Sequence, residues 1–307
     1  MEVALTPLEF ARRTRRLYGN RTGVVDGDLR LTYEEFFARC DRWAAALQDL
    51  GVQPGDRVAT IAPNTHTQLE AFYAVPEIGA VLVPINYRLS ADDFAYILEH
   101  SGSTVVCAHP DYLDVVDGIR DQIPQVKHFV SFGGPRNGWV DYEAAVAAGG
   151  TPNQPPTGER DLLTINYTSG TTARPKGVMI THRNAYMNTV GTLLHLPIGV
   201  GEKYLWTLPM FHANGWTYTW TVTAAGGVHV CLPRVDPGEV FRLIREEEVT
   251  WLAAAPTVLI SLANAAPKVR GEVRPGVHVV TAGAPPPRPP SSGWNGTSAG
   301  RSPTSTG

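Results

Sequence analysis

Residues 167–178 read Tyr167-Thr168-Ser169-Gly170-Thr171-Thr172-Ala173-Arg174-Pro175-Lys176-Gly177-Val178. Four serine or threonine hydroxyls, a flexible glycine and one lysine share this short segment. Backbone N–H groups, hydroxyl donors and a fixed positive charge in one loop suit a polyphosphate. Clusters of Gly, Ser, Thr and Pro are more often plain polar turns, but a plain turn leaves the lysine unexplained. The chain has only four lysines, Lys127, Lys176, Lys203 and Lys268, so one inside the glycine loop is more than filler. The order is not that of a P-loop, in which Gly-Lys-Ser/Thr opens a helix. Here Lys176 precedes Gly177, and Val178-Met179-Ile180 follows as an apolar, strand-like run. The segment therefore reads as a phosphate-gripping loop that leads into a strand, with no helix dipole behind it.

Outward from that loop the chain alternates strand-like and helix-like segments. Tyr33, Phe36, Cys40, Trp43 and Leu47 fall at three- and four-residue steps, which predicts an amphipathic helix over 33–50 with Thr32 as N-cap and Gly51 as its stop. Strands are expected at 57–62, 80–84 and 104–108, with helices at 65–78 and 90–100; Pro76 must kink or end the first of these. Beyond 162–166, a short strand entering the loop, the pattern resumes. Helices are expected at 184–194 and 237–247, and strands at 204–208, 228–232 and 250–254. Such alternation predicts an α/β fold of doubly wound, mostly parallel sheets flanked by helices. Residues 137–160, rich in Ala, Gly and Pro, are expected to connect two subdomains.

The length of 307 residues, 43% hydrophobic and 18% charged, fits a globular protein with a sizeable core. A net charge of −3 gives no basic footprint for nucleic acid. Cys40, Cys107 and Cys231 are too widely spaced for a metal site and read as buried thiols. The most apolar stretch, 71–85, is broken by Pro76, Glu77 and Pro84 and cannot span a membrane. With no secretory segment at the start, the expected location is cytoplasmic.

A second informative stretch is Leu208-Pro209-Met210-Phe211-His212-Ala213-Asn214-Gly215-Trp216. Pro209 and Gly215 break regular structure, and His212, Asn214 and Trp216 crowd one loop. A histidine among aromatics is as often a packed core residue as a functional one. Trp216 likewise reads either as a lid over an apolar channel or as a core anchor. A third stretch, Val277-His278-Val279-Val280-Thr281-Ala282-Gly283-Ala284, is a strand followed by the turn Gly283-Ala284-Pro285, whose small residues let a flat ligand approach the backbone.

These three stretches, with Asn86-Tyr87-Arg88-Leu89, resemble the adenylate-forming (AMP-binding) superfamily, and within it the long-chain fatty acyl-CoA synthetases. The resemblance runs over about residues 6–287. It implies that 1–284 form an incomplete large N-terminal domain of that fold. It implies ATP, Mg2+ and coenzyme A as reactants or cofactors, and a small-molecule carboxylic acid as substrate. Thr168, Ser169, Gly170, Thr171, Thr172 and Lys176 would cradle the phosphates, with Thr168 also on the metal. Gly283, Ala284 and Pro285 would meet the adenine. His212 would be the catalytic residue beside the acyl carboxylate. Ala213, Asn214, Gly215 and Trp216 would line the acid site, and Trp216 would gate a fatty-acid tunnel. The implied activity is a fatty acid–CoA ligase. An aryl- or short-acid-CoA ligase, an acyl-AMP ligase and a non-catalytic nucleotide-binding fragment are the alternatives, and a homodimer is left open.

Residues 285–307 depart from the family pattern. They contain no Leu, Ile, Val or Phe, and eighteen of the 23 are Pro, Ser, Gly or Thr, so they are expected to be disordered. A one-base shift of their codons permits a reading close to the family's next strand, which suggests a frameshifted, truncated chain. The family's magnesium glutamate and C-terminal catalytic domain would then be absent, and the chain would have little ligase activity. An intact downstream reading frame in the gene is the finding this expectation requires.

Overall fold

The computed structural model describes residues 3–168, 174–272 and 276–282. Among them the strands are, in chain order, β1 (Thr22–Asp26), β2 (Leu29–Thr32), β3 (Arg57–Ile61), β4 (Val81–Pro84), β5 (Ser103–Ala108), β6 (His128–Ser131) and β7 (Val140–Asp141). They continue with β8 (Leu162–Thr168), β9 (Lys176–Thr181), β10 (Lys203–Leu205), β11 (Val228–Val230), β12 (Trp251–Ala253) and β13 (His278–Val280). One sheet has the order β7-β6-β5-β3-β4-β8-β9; the other has the order β13-β12-β10-β11-β1-β2. All pairings are parallel except β8 with β9 and β1 with β2, so each sheet ends in one antiparallel ribbon. Alternate residues of β3, β4 and β5 enter two separate cores, one on each face of the first sheet. This is the doubly wound α/β architecture that the alternation predicts.

Local signals place most helices. The helix Tyr33–Asp49 opens with a capping box in which the Thr32 hydroxyl accepts from Glu35 N–H and the Glu35 carboxylate accepts from Thr32 N–H. Its apolar face buries Phe36, Cys40, Trp43 and Leu47, each to under 5% exposure, at about 1.5–3 kcal/mol for each large side chain. The helix His66–Glu77 is capped by Thr65 and ends one residue after Pro76. All three cysteines are buried. The stretch 137–160 is more ordered than a connector: Val140–Asp141 pairs with β6, and the helix Tyr142–Ala148 packs its Tyr142 edge-on against Trp43.

Several elements have no forecast in the chain pattern, β1, β2, β6 and two helices among them. The helix Pro7–Tyr18 begins at Thr6, whose Oγ1 lies 2.7 Å from Nδ1 of buried His182. The helix Tyr218–Ala225 is buried on nearly every side, with Thr219, Thr221 and Thr223 fully covered. Its threonines are tolerated because each finds a partner. Thr221 Oγ1 donates to Thr217 O at 2.9 Å, and Thr223 accepts the Tyr73 hydroxyl at 2.7 Å and lies 2.9 Å from His229 Nε2. Trp206 Nε1–H donates to His229 Nδ1, which leaves the imidazole proton on Nε2.

Two polar contacts brace the end of β3 and the start of the helix His66–Glu77 against the second sheet. The buried Asn64 amide, just after β3, donates to Trp206 O at 2.8 Å and Leu208 O at 3.0 Å and accepts from Met210 N–H at 2.8 Å. Asp26 of β1 accepts from His66 N–H at 2.8 Å and from its ring Nδ1 at 2.6 Å. Burial opposes charge on His66, but hydrogen bonds to Asp26 and Glu143 and the field of Glu70 outweigh it and raise its pKa to about 9. Burial drives His182 the other way, to about 4, and His229 to about 3.

These histidines set opposite pH limits. Folded His66 holds its proton up to about pH 9 and unfolded His66 only to its ordinary 6.5. Its stabilisation is complete below pH 6.5 and is lost as pH rises to about 9, at most roughly 3 kcal/mol. His182 and His229 bind protons more weakly folded than unfolded, so stability falls as pH drops below 6.5. Denaturant unfolding across pH 4–9 should therefore peak near pH 6.5, and Asp26→Asn should flatten the alkaline limb. An alkaline limb unchanged in that variant would show that the Asp26–His66 contact does not carry it.

Candidate functional site

The antiparallel register of β8 and β9 sets Tyr167 opposite Gly177 and Thr168 opposite Lys176. Both Thr168 and Lys176 are exposed, and Lys176 makes no ion pair among the described residues. The hairpin thus presents one hydroxyl and one uncompensated ammonium side by side at the mouth of the loop. Ser169, Gly170, Thr171 and Thr172, and likewise Gly283, Ala284 and Pro285, lie outside the described residues.

The base of the hairpin is held by residues that the motif does not contain. From the helix Ala91–Ser101, Tyr96 donates its hydroxyl to Pro175 O at 3.3 Å, and the Arg174 guanidinium lies 5.1 Å from the Tyr96 ring centre. His100 Nδ1 is 2.7 Å from the Tyr167 hydroxyl, and burial pushes that phenol up to about 12. Tyr96 and His100 sit four apart on one helix face, which is the only sequence signal they give.

His212 resolves against the core reading. It is exposed, and its side chain has no partner among the described residues. The buried histidines are His182 and His229. Tyr218 and Trp220 are core anchors at 2% and 0% exposure, whereas Trp216 is only half-buried and rests against the core edge.

Between His212 and Tyr218 the backbone does something rare. Ala213, Asn214, Gly215, Trp216 and Thr217 all have positive φ, at 43°, 51°, 57°, 52° and 64°. This is more than a full left-handed turn, and only Gly215 adopts it freely; the other four residues carry strain of roughly 1–2 kcal/mol each. Specific contacts offset that strain. Thr217 N–H donates to Asn214 O at 3.0 Å, and Thr219 Oγ1 donates to the same carbonyl at 3.2 Å. Fully buried Asn214 donates from Nδ2 to Thr164 Oγ1 on β8 at 2.8 Å, and Thr217 Oγ1 donates to Asn188 Oδ1 of the helix His182–His195 at 3.1 Å. Gly215 packs close against Trp206; a Cβ there would stand 2.5 Å from the indole. Thr164 precedes Thr168 by four residues on one strand, about 13 Å at the usual rise. The structure thereby ties the Asn214 turn to the strand that carries Thr168, with His212 and Trp216 flanking the tie.

Among the described residues no group of three or more His, Cys, Asp or Glu is placed to hold a metal, and no helix is long and apolar enough to cross a membrane.

A family model described as AMP-binding enzyme matches residues 10–299. The chain is 36% identical over 308 residues to the peroxisomal trans-cinnamate:CoA ligase of Petunia hybrida, covering 93% of this chain and 54% of that protein. It is 35% identical over 302 residues to the peroxisomal butyrate–CoA ligase AAE11 of Arabidopsis thaliana, covering 93% and 53%. Among solved structures, the inhibitor-bound N-terminal domain of FACL13 from Mycobacterium tuberculosis superposes with a TM-score of 0.84 at 29% identity, over 92% of this chain and 71% of that one. The chain spans about half the length of the curated relatives it matches.

Gly215→Ala places a methyl group against Trp206 at a left-handed position. It should lower stability by about 2–4 kcal/mol, read from the denaturant midpoint at constant slope. A loss under about 0.5 kcal/mol would mean that the turn relaxes freely.

Proposed function

The chain belongs to the AMP-binding enzyme family, and on that premise we propose that it binds ATP and a carboxylic acid at the site where the whole protein joins them as an acyl-adenylate, the first half of a CoA ligase reaction. The observation that carries this reading is the Thr168–Lys176 pair: an ammonium with no ion pair among the described residues and a hydroxyl face each other at the two ends of a segment rich in donors. In the proposed chemistry a carboxylate oxygen attacks the α-phosphorus and pyrophosphate leaves. The thiol of coenzyme A then displaces AMP to give a thioester. No protein nucleophile is required, so the protein's work is alignment and neutralisation of charge on the leaving pyrophosphate.

The residues fit those roles. Lys176 would pair with the phosphates, and Ser169, Gly170, Thr171 and Thr172 would complete the cradle. Mg2+, which neutralises phosphate charge, commonly binds through few protein ligands and the substrate's own phosphates, and Thr168 would supply one hydroxyl. Exposed, unpartnered His212 would lie beside the acid's carboxylate, and half-buried Trp216 would border its path. Gly283, Ala284 and Pro285 would form the adenine wall. A long fatty acid is the reading that the motif suggests, but the relatives' names, cinnamate and butyrate, favour the small-acid alternative.

Titration calorimetry decides the nucleotide half. Lys176→Ala should weaken ATP binding at least about tenfold, or about 1.4 kcal/mol, with an unchanged circular dichroism spectrum. ATP uptake equal to that of the unaltered chain would remove the basis of the proposal. Binding of butyrate, cinnamate and a long-chain acid in the presence of AMP should rank the small acids first; preference for the long chain would restore the fatty-acid reading.

A further inference from the structure

Asn214 combines three properties that stability alone does not explain. It is fully buried, it sits at φ 51° in the middle of the left-handed run, and its Oδ1 has no partner among the described residues. One pleat further along β8 from its partner Thr164, Asn166 is 4% exposed, and neither its Oδ1 nor its Nδ2 has a partner among the described residues. Buried amides are ordinarily satisfied, and an apolar side chain of similar size would fill the same space at lower cost. A polar strip kept beneath a strained turn is the pattern expected where geometry, rather than stability, is under selection.

The turn's anchors identify the geometry being kept. Thr217 is fixed to Asn188, and Gly215 packs close against Trp206. Among the described residues, the turn's one hydrogen bond to the strand that ends in Thr168 comes from the Asn214 amide. A return of 213–217 to the favoured right-handed region would swing the Asn214 amide away from Thr164 and rotate the flanking residues with it. His212 and Trp216 are therefore set by a contact that neither of them makes.

We propose that Asn214 is a positioning residue: its amide, held by Thr164, locks the left-handed turn and so places His212 and Trp216 for the acid. The role of those two side chains rests on the function proposed above; the locking does not.

The test uses this chain with Asn214→Gly, which keeps the left-handed backbone accessible and removes the side chain that carries the amide, and Thr164→Val, which removes the acceptor at nearly equal volume. Thr164→Ser restores the hydroxyl. Hydrogen exchange of the ligand-free proteins should show the Trp216 and Thr217 amides opening at least tenfold faster in Asn214→Gly and Thr164→Val, and at the original rate in Thr164→Ser. Calorimetry with AMP and with butyryl- and cinnamoyl-sulfamoyladenosine, stable mimics of acyl-adenylates, should show the mimics bound at least tenfold more weakly by both variants. AMP should stay within twofold, and the double variant should be no worse than Asn214→Gly. Exchange and mimic binding both unchanged in Asn214→Gly would overturn the proposal, as would an equal loss for AMP and the mimics. If the unaltered chain bound neither AMP nor a mimic, the nucleotide reading would fall, and exchange alone would still decide the locking. Should Asn214→Gly not fold, the Thr164→Val and Thr164→Ser pair carries the same decision.

Discussion

One buried amide fixes how the two sheets face each other. Asn64 leaves β3 of the first sheet and satisfies two carbonyls and one N–H of residues 206–210, which leave β10 of the second. Trp206, Leu208 and Met210 are buried, so without Asn64 each of these backbone groups would lose a partner, at a cost of about 1–3 kcal/mol each. Because His212 follows Met210 by two residues, the same contact sets where the left-handed turn begins. The hairpin with Lys176 belongs to the first sheet and the turn to the second, so the candidate site exists only when the sheets are in register.

Much of this was legible in the chain. The N-cap at Thr32, helical apolar spacing and apolar runs of strand length located β3, β4, β5 and β8 and the helices beside them because those signals are local. The loop 167–178 was read correctly as entering a strand rather than a helix, since Val178-Met179-Ile180 is apolar with no helical spacing. Contacts distant in sequence were not legible. The β1–β2 ribbon pairs with β11 some 200 positions away, and the buried threonine helix 218–225 has no amphipathic stripe because it is covered on all sides. His212 could not be assigned from composition: a histidine among aromatics reads the same whether covered or open. The left-handed turn was also invisible, since only one of its five residues is glycine.

The molecule separates its histidines by environment. His182 and His229 are neutral pieces of the interior, each satisfied by a threonine hydroxyl. His66 is a charged cross-brace between sheets. His212 alone among these four stands open beside a strained backbone, free to meet something that is not protein. One residue type thus serves packing, bracing and the candidate chemistry, and the distinction lies in desolvation and partners.

β9 closes the seven-stranded order, so among the described residues its outer row of peptide groups has no neighbouring strand. Val178 and Met179 on that strand are 47% and 65% exposed. An apolar open edge is a template on which a second molecule can add a strand, and a lysine at such an edge is a common guard against self-association. Lys176 stands at the head of this edge. The charge proposed to meet the phosphates would therefore also oppose strand addition at this edge, and a change made for one purpose would affect the other.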